Sequence, residues 1–595
     1  NKIQKSLFEG EWYSRMTIIE NQFNQGMMFE GLQGDMQRIR WEIREGELIG
    51  YRSYELLEGA EDGNGDLDFH GTPVVAFPVL GHFDVIRDYN TATGEQSNVL
   101  VENSSDKPWY EREYMRVDWT TNLVTDYDIA GLLKLYISSA FYMQPNEIDS
   151  PYRVEIGEDN INVVLQGMMA PDIQTCYYTF FDPYFCGNSE VKAKFSFMKV
   201  KPRNYTPLYH PDYIPILDAD GKPLVSCSEI NPSNCSTETI EVFERFGLFR
   251  TERRAYDDEY QWTRDGRIYL GNRWNIWETS QDAQGNTIHP ALRTPKAFTY
   301  HANVDFPTDN DLKEATDALV AEWDLAFRET VFYIDQLAVT DPPDSYVAAG
   351  IAYEAKYTTV DDVPTIYRWQ KNSCNIDAVN TYAAANEYTD ELASFGIETV
   401  AKGNLKRACS ILEYYSEKTD NPFTWEKAGD LRYSFLHWVD TPQAAGPLGY
   451  GPSSADPITG EIISANANMY GSSIDTYASY AADVVSLMNG DSDFDDIMYG
   501  ENIRADVDDW GNGGFSRGQH PFHGGYDAAD MDGMSSKFKE MAQASDIVQS
   551  PTCAGGACTV ASDGCCSKCT VCSKLQQERT GLSTDERHLA KFIKH

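Results

Sequence analysis

The sequence predicts a multidomain α+β protein with β-rich N-terminal domains, an α/β domain after them, and an irregular, disulfide-rich C-terminal tail. Three observations support this fold class. Apolar and polar residues alternate through most of the first 290 residues, as in half-buried strands. Strand patterns then alternate with helical patterns up to about residue 490. Several of the twelve cysteines crowd into the last part of the chain.

Residues 1–130 are predicted to form an antiparallel β domain, either a sheet or a barrel. In the stretch QRIRWEIREG, Ile39, Trp41 and Ile43 alternate with arginine and glutamate, which places the apolar set on one face of a strand. The stretch EREYMRVDW repeats this pattern. Residues 131–290 are predicted to form a second β-rich domain with disulfide-closed loops, because short strand patterns alternate with turns such as LDADGKP. The tryptophan and tyrosine residues there suit a core, or alternatively a sugar-binding groove.

Residues 291–490 are predicted to form an α/β domain with a helical insertion. The first strand is KAFTYHANVDFP, and a long helix follows it. Five apolar residues of this helix recur at helical spacing and are expected to pack on a sheet: Leu312, Ala315, Leu319, Trp323 and Phe327. Further strands are predicted in SYVAAGIAYE, PTIYRW and DLRYSFLHWV. The stretch DPITGEIISANANMYGSSIDTYASYAADVVSLMNG then predicts a turn, a strand, a second turn and a helix over residues 472–488. Residues 491–595 are predicted to form an acidic, Gly-rich and Cys-rich tail.

The charge of the chain excludes some classes of partner. There are 92 acidic residues against 49 basic ones, a net charge of -43, which repels phosphate backbones and anionic lipid surfaces. Nucleic acid is therefore not expected as a partner, and no apolar run approaches the ~18 residues of a transmembrane helix. The chain begins at Asn1 without a leader, so we expect a mature product or a fragment of an exported protein.

The cysteines predict disulfides in an oxidising compartment, so the protein is expected to be secreted, periplasmic or on the cell surface. The cysteines are Cys176, Cys186, Cys227, Cys235, Cys374, Cys409, Cys553, Cys558, Cys565, Cys566, Cys569 and Cys572. The spacing of the last three also occurs in metal and iron–sulfur sites, an alternative that the sequence leaves open.

Calcium is the metal that the acidic stretches favour. In EDGNGDLDFHG, Asp62, Asn64, Asp66 and Asp68 occupy alternate positions, as in loops that wrap oxygen ligands around Ca²⁺. The glutamate that usually closes such a loop is missing, and a polar hairpin tip is the alternative. Further acidic stretches after residue 490 strengthen the expectation of a structural calcium.

Three stretches resemble one family: DLRYSFLHWV, the link ending GPLGYGPSSADPITGEII, and the helix containing ALVAEWDLAF. They resemble the large exported zinc-dependent metallopeptidases of bacteria, of the metzincin type, most strongly over residues 430–471. The resemblance implies that the first strand and the long helix build one side of a catalytic cleft. It also implies that the strand after the DPITGE turn runs along the upper edge of the cleft, where an extended substrate adds as another strand. The implied substrate-binding residues are Glu461, Ile462, Ile463, Ser464, Ala465 and Asn466.

The catalytic motif of that family is missing from this sequence. Its chemistry needs HExxH on a helix, because two imidazoles four residues apart grip zinc and the glutamate activates water. None of the ten histidines begins such a motif, and the helix over 472–488 has no histidine. His520 and His523 come nearest, but a proline separates them. Zinc is therefore expected only if a catalytic part is supplied downstream or in trans.

Two functions remain open at this point. The first is an exported protein on a zinc-metallopeptidase scaffold that lacks the zinc helix. It would be a non-catalytic binding scaffold, or the N-terminal part of a cleaved metalloprotease, whose partner is a polypeptide such as the severed catalytic chain or a second copy. The alternative is a structural or adhesive cell-surface protein that self-assembles and is stabilised by calcium and disulfides. No nucleophile elbow or phosphate-binding glycine loop with lysine points to another enzyme class.

Overall fold

The computed structural model describes residues 2–490 apart from gaps at 22–27, 59–69, 91, 130–132, 142–146, 172–186, 202–204, 211–212, 216–224, 228–234, 238, 242–248, 256–266, 308–309 and 444–447. The chain divides into two compact units, Asn1–Ala482 and Asp483–His595. In the second unit the described residues are the end of the last helix and the glycine after it. Among the described residues, no helix is long and apolar enough to cross a membrane.

The N-terminal region is built almost entirely of strands, as the sequence predicts. They are β1 (Ile3–Gln4), β2 (Glu11–Asn21), β3 (Gln37–Ile43), β4 (Glu47–Arg52), β5 (Leu57–Glu58), β6 (Pro73–Tyr89), β7 (Gln96–Asn103), β8 (Tyr114–Val117), β9 (Asp126–Ile129), β10 (Leu133–Phe141), β11 (Glu155–Ile156), β12 (Asn160–Pro171) and β13 (Ser189–Lys199). All except β5 belong to one antiparallel sheet in the order β1-β8-β6-β4-β3-β2-β13-β12-β10-β9, with β7 on β6 and β11 on β12. Because β13 pairs with β2, this sheet continues across the domain boundary predicted at residue 130.

Strand alternation gives the N-terminal sheet two buried faces. Trp12 of β2 and Phe197 of β13 lie on the face that packs the main apolar core. Arg15 and Lys194 lie on the opposite face of the same strands, where they are only 1% and 3% exposed. The α/β part of the unit covers this second face, since the Arg15 guanidinium donates a 3.0 Å hydrogen bond to the Ser464 hydroxyl.

Short strands continue through the middle of the chain. They are β14 (Tyr209–His210), β15 (Tyr213–Pro215), β16 (Val225–Cys227), β17 (Cys235–Thr237), β18 (Thr239–Glu241), β19 (Arg250–Ala255), β20 (Arg267–Gly271) and β21 (Arg273–Trp274). The order β14-β20-β19-β5 forms a small sheet, and β15 with β18 and β16 with β17 form antiparallel pairs. In the last pair Cys227 stands opposite Cys235.

Helices enter the chain after residue 300, in alternation with strands. The elements are β22 (Phe298–Ala302), α1 (Asn310–Thr340), α2 (Asp344–Ala349), β23 (Tyr367–Gln370), α3 (Ile376–Ala385), α4 (Thr389–Ser394), α5 (Leu405–Ser416), β24 (Ser434–Val439), β25 (Gly449–Tyr450), β26 (Ser453–Ala455), β27 (Glu461–Tyr470) and α6 (Gly471–Asn489). Short 3-10 helices lie at Lys5–Phe8, Trp109–Glu111, Pro290–Leu292, Val360–Asp362 and Lys402–Asn404.

The strands of this part form a sheet in the order β21-β27-β24-β22-β23. These strands run parallel, while β25 and β26 lie antiparallel on β27. The predicted α/β arrangement is therefore confirmed, although β21 joins it from before the boundary predicted at residue 290. The strand predicted in SYVAAGIAYE is wrong: α2 forms there, and Gly350 ends it in the left-handed conformation at φ 67°.

The helical insertion contains the disulfide between Cys374 and Cys409, which confirms the disulfide prediction for this pair. The disulfide lies in an apolar cluster with Val379, Ile411 and Leu412. Several predicted sites lie outside the described residues: the calcium ligands Asp62, Asn64, Asp66 and Asp68, the histidines His520 and His523, and the cysteines Cys176, Cys186, Cys553, Cys558, Cys565, Cys566, Cys569 and Cys572.

Candidate functional site

Helix α1 carries two apolar stripes, and the one that faces the sheet is not the one that the sequence predicts. Val320, Val331 and Ala338 face inward and are 8%, 3% and 1% exposed. Phe327, one of the five residues predicted to pack on the sheet, does so: it is half-buried, with its ring centroid 5.3 Å from that of Phe298 on β22. The inward stripe therefore packs the helix on the parallel sheet.

Two buried aspartates fix the rotation of α1 about its axis. The Asp324 carboxylate accepts hydrogen bonds from the backbone N–H groups of Ile366 at 2.8 Å and Tyr367 at 3.0 Å. The Asp335 carboxylate accepts from the Tyr353 hydroxyl at 2.6 Å and from the backbone N–H of Tyr357 at 3.0 Å. Rotating the helix would leave these carboxylates buried without donors, which is costly.

The second apolar stripe of α1 is exposed to solvent. We call it the outer stripe, and its members are Leu312 (36% exposed), Leu319 (47%), Trp323 (55%), Tyr333 (60%) and Leu337 (65%). Their spacing places them on one side of the helix over about 38 Å, at 1.5 Å per residue. The prediction that Leu312, Ala315, Leu319 and Trp323 pack on the sheet is therefore wrong, since Ala315 is exposed as well. Large exposed apolar surfaces of this kind mark protein–protein contact sites.

The charges around the outer stripe are acidic. Glu322 and Glu329 are exposed and lie seven residues apart, so both border the same side of the stripe. The basic residues of the helix are already neutralised within the molecule. Lys313 pairs with Asp317 at 2.7 Å, and Arg328 pairs with Asp324 at 2.9 Å. The outer stripe consequently favours a partner whose apolar face is flanked by positive charge.

Helix α6 follows β27 directly and confirms the helix predicted over residues 472–488. Its Gly471 lies against the Trp438 ring, where a Cβ would come within 2.4 Å of a ring carbon. Ile474, Tyr477 and Tyr480 in the first unit are 36%, 58% and 55% exposed.

The second unit begins within the same helix. Of its described residues, Val484, Val485 and Met488 are large, apolar and more than half exposed.

Strand β27 contains the residues that the resemblance implies as a substrate-binding edge: Glu461, Ile462, Ile463, Ser464, Ala465 and Asn466. In the structure these residues do not form a free edge of the sheet, because other strands pair with β27. β24 pairs along one side of β27, with Phe435 opposite Asn466. β26 pairs along the other side, with Ser453 opposite Ala465, and β21 lies across Ile462 from β26, with Arg273 opposite Glu461. An extended polypeptide therefore cannot add along these residues without displacing β26 on one side or β21 on the other.

The turn before β27 joins the parallel sheet to the N-terminal sheet. Asp456 is 1% exposed and accepts from the Arg38 guanidinium through both carboxylate oxygens, at 2.8 Å for Nε. It also accepts from the Tyr13 hydroxyl at 3.2 Å and the Thr459 hydroxyl at 2.8 Å. Gly460 has a φ of 72° and lies so close to the backbone of β20 that a side chain would not fit. The turn predicted before this strand therefore forms, and its buried Asp456 connects the two sheets.

No group of three or more His, Cys, Asp or Glu side chains in the part of the chain that the structure describes is placed to hold a metal ion. The zinc and calcium expectations therefore rest on the sequence alone. Comparison of the chain with models of known families, with curated proteins and with solved structures found no match.

Proposed function

We propose that this protein is an exported, non-catalytic scaffold of the zinc-metallopeptidase type, whose long helix α1 binds a helix from another polypeptide segment through the outer stripe. The bound segment supplies the HExxH motif and the zinc that this sequence lacks. Catalysis then belongs to the complex, and the scaffold contributes one wall of the cleft.

The exposed outer stripe carries the proposal. In the family that the sequence resembles, the first strand and the long helix build one side of the catalytic cleft. Here β22 and α1 occupy those positions in the chain, and α1 presents Leu319, Trp323 and Leu337 to solvent along that helix. An amphipathic helix laid in such a position buries its own apolar face against these side chains.

Electrostatics favour a different polypeptide over a second copy. The outer stripe is bordered by Glu322 and Glu329, and the chain has a net charge of -43. Two such faces repel each other when they approach, because like charges at a contact cost free energy. A helix with lysine or arginine beside its apolar face is complementary to both parts of this surface.

The test begins with the native preparation. We expect zinc in a 1:1 ratio to the scaffold, caseinolytic activity, and a co-purifying polypeptide whose sequence contains HExxH. The variant Leu319→Glu with Leu337→Glu places charge in the middle of the outer stripe and should abolish zinc content and activity together. The matched control is Leu80→Glu, because Leu80 is 68% exposed on β6.

Two results would overturn the proposal. One is zinc and activity that survive in the double variant while it remains folded by circular dichroism. The other is a native preparation without zinc that self-associates into polymers, which is the behaviour of a structural or adhesive surface protein.

A further inference from the structure

A partly open cavity lined by both polar and apolar groups lies in the first unit, between the second face of the N-terminal sheet and the carboxyl ends of the parallel strands. Lys194 of β13 reaches it from one side, and Trp425 and residues that follow β22 line the other. Its volume is about 50 Å³. A water needs ~10–15 Å³ on this measure, so the cavity holds three or four atoms the size of oxygen or carbon.

Each carboxylate of the cavity already has a contact partner. They make these contacts: Glu20 with Lys192 at 2.5 Å, Glu30 with His437 at 3.0 Å, Asp305 with Lys406 at 2.7 Å, and Glu426 with the Ser373 backbone N–H at 2.7 Å. In the described lining these carboxylates are therefore held by groups other than Lys194.

Two hydrogen-bond donors of the cavity have no acceptor. Lys194 is 3% exposed, and its ammonium group makes no hydrogen bond or ion pair with any described residue. The indole Nε1 of Trp425 is buried and likewise lacks an acceptor among the residues that the structure describes. Lys194 belongs to β13 of the N-terminal sheet, and Trp425 belongs to the apolar cluster of the helical insertion. The cavity therefore has hydrogen-bond donors without acceptors on two of its sides.

Leaving Lys194 in this position is costly for the fold. Desolvation by burial lowers the pKa of Lys194 to about 8, although Glu155 and Asp430 oppose the shift. The amine is therefore still mostly protonated at neutral pH, as a buried charge without a contact partner. A ligand that accepts hydrogen bonds and carries negative charge would relieve both the desolvation and the missing bonds.

We propose that this cavity is a binding site for one small carboxylate ion of about the size of acetate. One carboxylate oxygen accepts from Lys194 Nζ and the other from Trp425 Nε1. The volume of about 50 Å³ suits the four heavy atoms of acetate and is small for a ring-bearing acid such as benzoate. The site is independent of the outer stripe of α1.

The test compares sodium acetate, sodium benzoate and sodium chloride at equal ionic strength and pH 7, by calorimetric titration and by the shift of the melting temperature. Wild-type protein should bind acetate saturably, and neither benzoate nor chloride should compete. Lys194→Met should weaken acetate binding at least tenfold, and Trp425→Phe should weaken it severalfold. Lys201→Met is the matched control, because Lys201 follows the same strand and is 67% exposed.

Lys194→Met should also melt at a higher temperature than wild type when no acetate is present, so its loss of binding cannot be ascribed to unfolding. Equal acetate affinity in Lys194→Met and wild type would overturn the proposal. So would a wild-type response to acetate that chloride reproduces. If Lys194→Met does not fold, Lys194→Gln and Trp425→Phe carry the same test.

Discussion

Two surfaces of the first unit reverse the usual relation between polarity and burial. The second face of the N-terminal sheet is polar and buried: Arg15 donates to the hydroxyl oxygens of Ser454 at 2.6 Å and Ser464 at 3.0 Å. The outer stripe of α1 is apolar and exposed, with Trp323 at 55% and Leu337 at 65%. The difference lies in what covers each surface.

The α/β part covers the polar face and supplies partners for several of its polar groups, Lys194 being an exception. Asn162 donates to the Asp430 carboxylate at 2.8 Å, and the backbone N–H of Leu431 donates to the Ser196 hydroxyl at 2.9 Å. Satisfied contacts of this kind specify one arrangement of two sheets, because a shifted arrangement leaves buried groups unpaired. The outer stripe has no such cover in the described residues, and its apolar side chains are exposed.

The largest expected effect is at the turn that joins the sheets. Asp456→Ala removes the carboxylate to which Arg38, Tyr13 and Thr459 donate, and it leaves the largely buried Arg38 with only Glu11 as a counter-ion. We expect the free energy of unfolding in urea to fall by about 3–5 kcal/mol. The control is Asp361→Ala, because Asp361 is 90% exposed and pairs with Arg328 at the surface. A loss below about 1 kcal/mol for Asp456→Ala would show that the polar face does not hold the sheets together.

The second-largest expected effect is a gain in stability, from replacing the buried Lys194. Below pH 8 Lys194 is protonated in both the folded and unfolded states, and the folded state bears the cost of burying the charge. The cost disappears between the folded pKa of about 8 and the unfolded value of 10.5, so stability from this group rises with pH across that window. Lys194→Met should therefore be more stable than wild type at pH 7, by up to about 3 kcal/mol, at 1.36 kcal/mol per pKa unit.

The measurement is the difference in unfolding free energy between Lys194→Met and wild type from pH 7 to pH 10.5. Taking the difference cancels groups common to both proteins, including Glu155, Asp430, Lys427 and Arg432, which surround the amine. A difference that stays constant with pH would show that Lys194 is not buried as a charge.

The third effect compares two valines of the same helix. Val331 belongs to the inward stripe and is 3% exposed, whereas Val339 is 50% exposed. Val331→Ala should lower the free energy of unfolding by about 1–3 kcal/mol, through lost apolar burial and the cavity left behind. Val339→Ala should change it by less than about 0.5 kcal/mol. Equal losses would mean that the exposed side of α1 is covered in solution.

Sequence periodicity predicted α1 and β27 but not which side of each is free. Asp324 and Asp335 interrupt the inward stripe of α1, so the helical pattern of apolar residues is clearer on the outer stripe. Both aspartates are satisfied by donors from Ile366 and Tyr353, distant in the sequence, which no local pattern contains. An apolar stripe in the sequence indicates that a helix is amphipathic, but it does not show which surface covers the stripe.

The same limit applies to the sheets. Alternation predicted a β-rich N-terminal region, yet Arg15 and Lys194 have the spacing of solvent-facing residues, because nothing local distinguishes water from a polar protein surface. The sequence predicted β27 as an edge strand, but β21 pairs with it through Arg273 and Glu461. This pairing joins residues that are far apart in the sequence. The cavity beside Lys194 could not be predicted for the same reason, since Lys194 and Trp425 meet only in the folded chain.

The smallest expected effect tests the acidic border of the outer stripe. Glu322→Gln with Glu329→Gln leaves the fold unchanged, because both side chains are exposed. The unfolding free energy should change by less than about 0.5 kcal/mol. Association with the proposed HExxH-bearing polypeptide should nevertheless slow severalfold at low ionic strength, because exposed charges steer encounter.

The control is Glu314→Gln, since Glu314 is exposed on a different side of the helix. At about 1 M salt, where the Debye length is ~3 Å, the three proteins should associate at the same rate. A slowing that persists at high salt would assign the two glutamates to direct contacts, and no slowing at all would remove charge complementarity from the description of this surface.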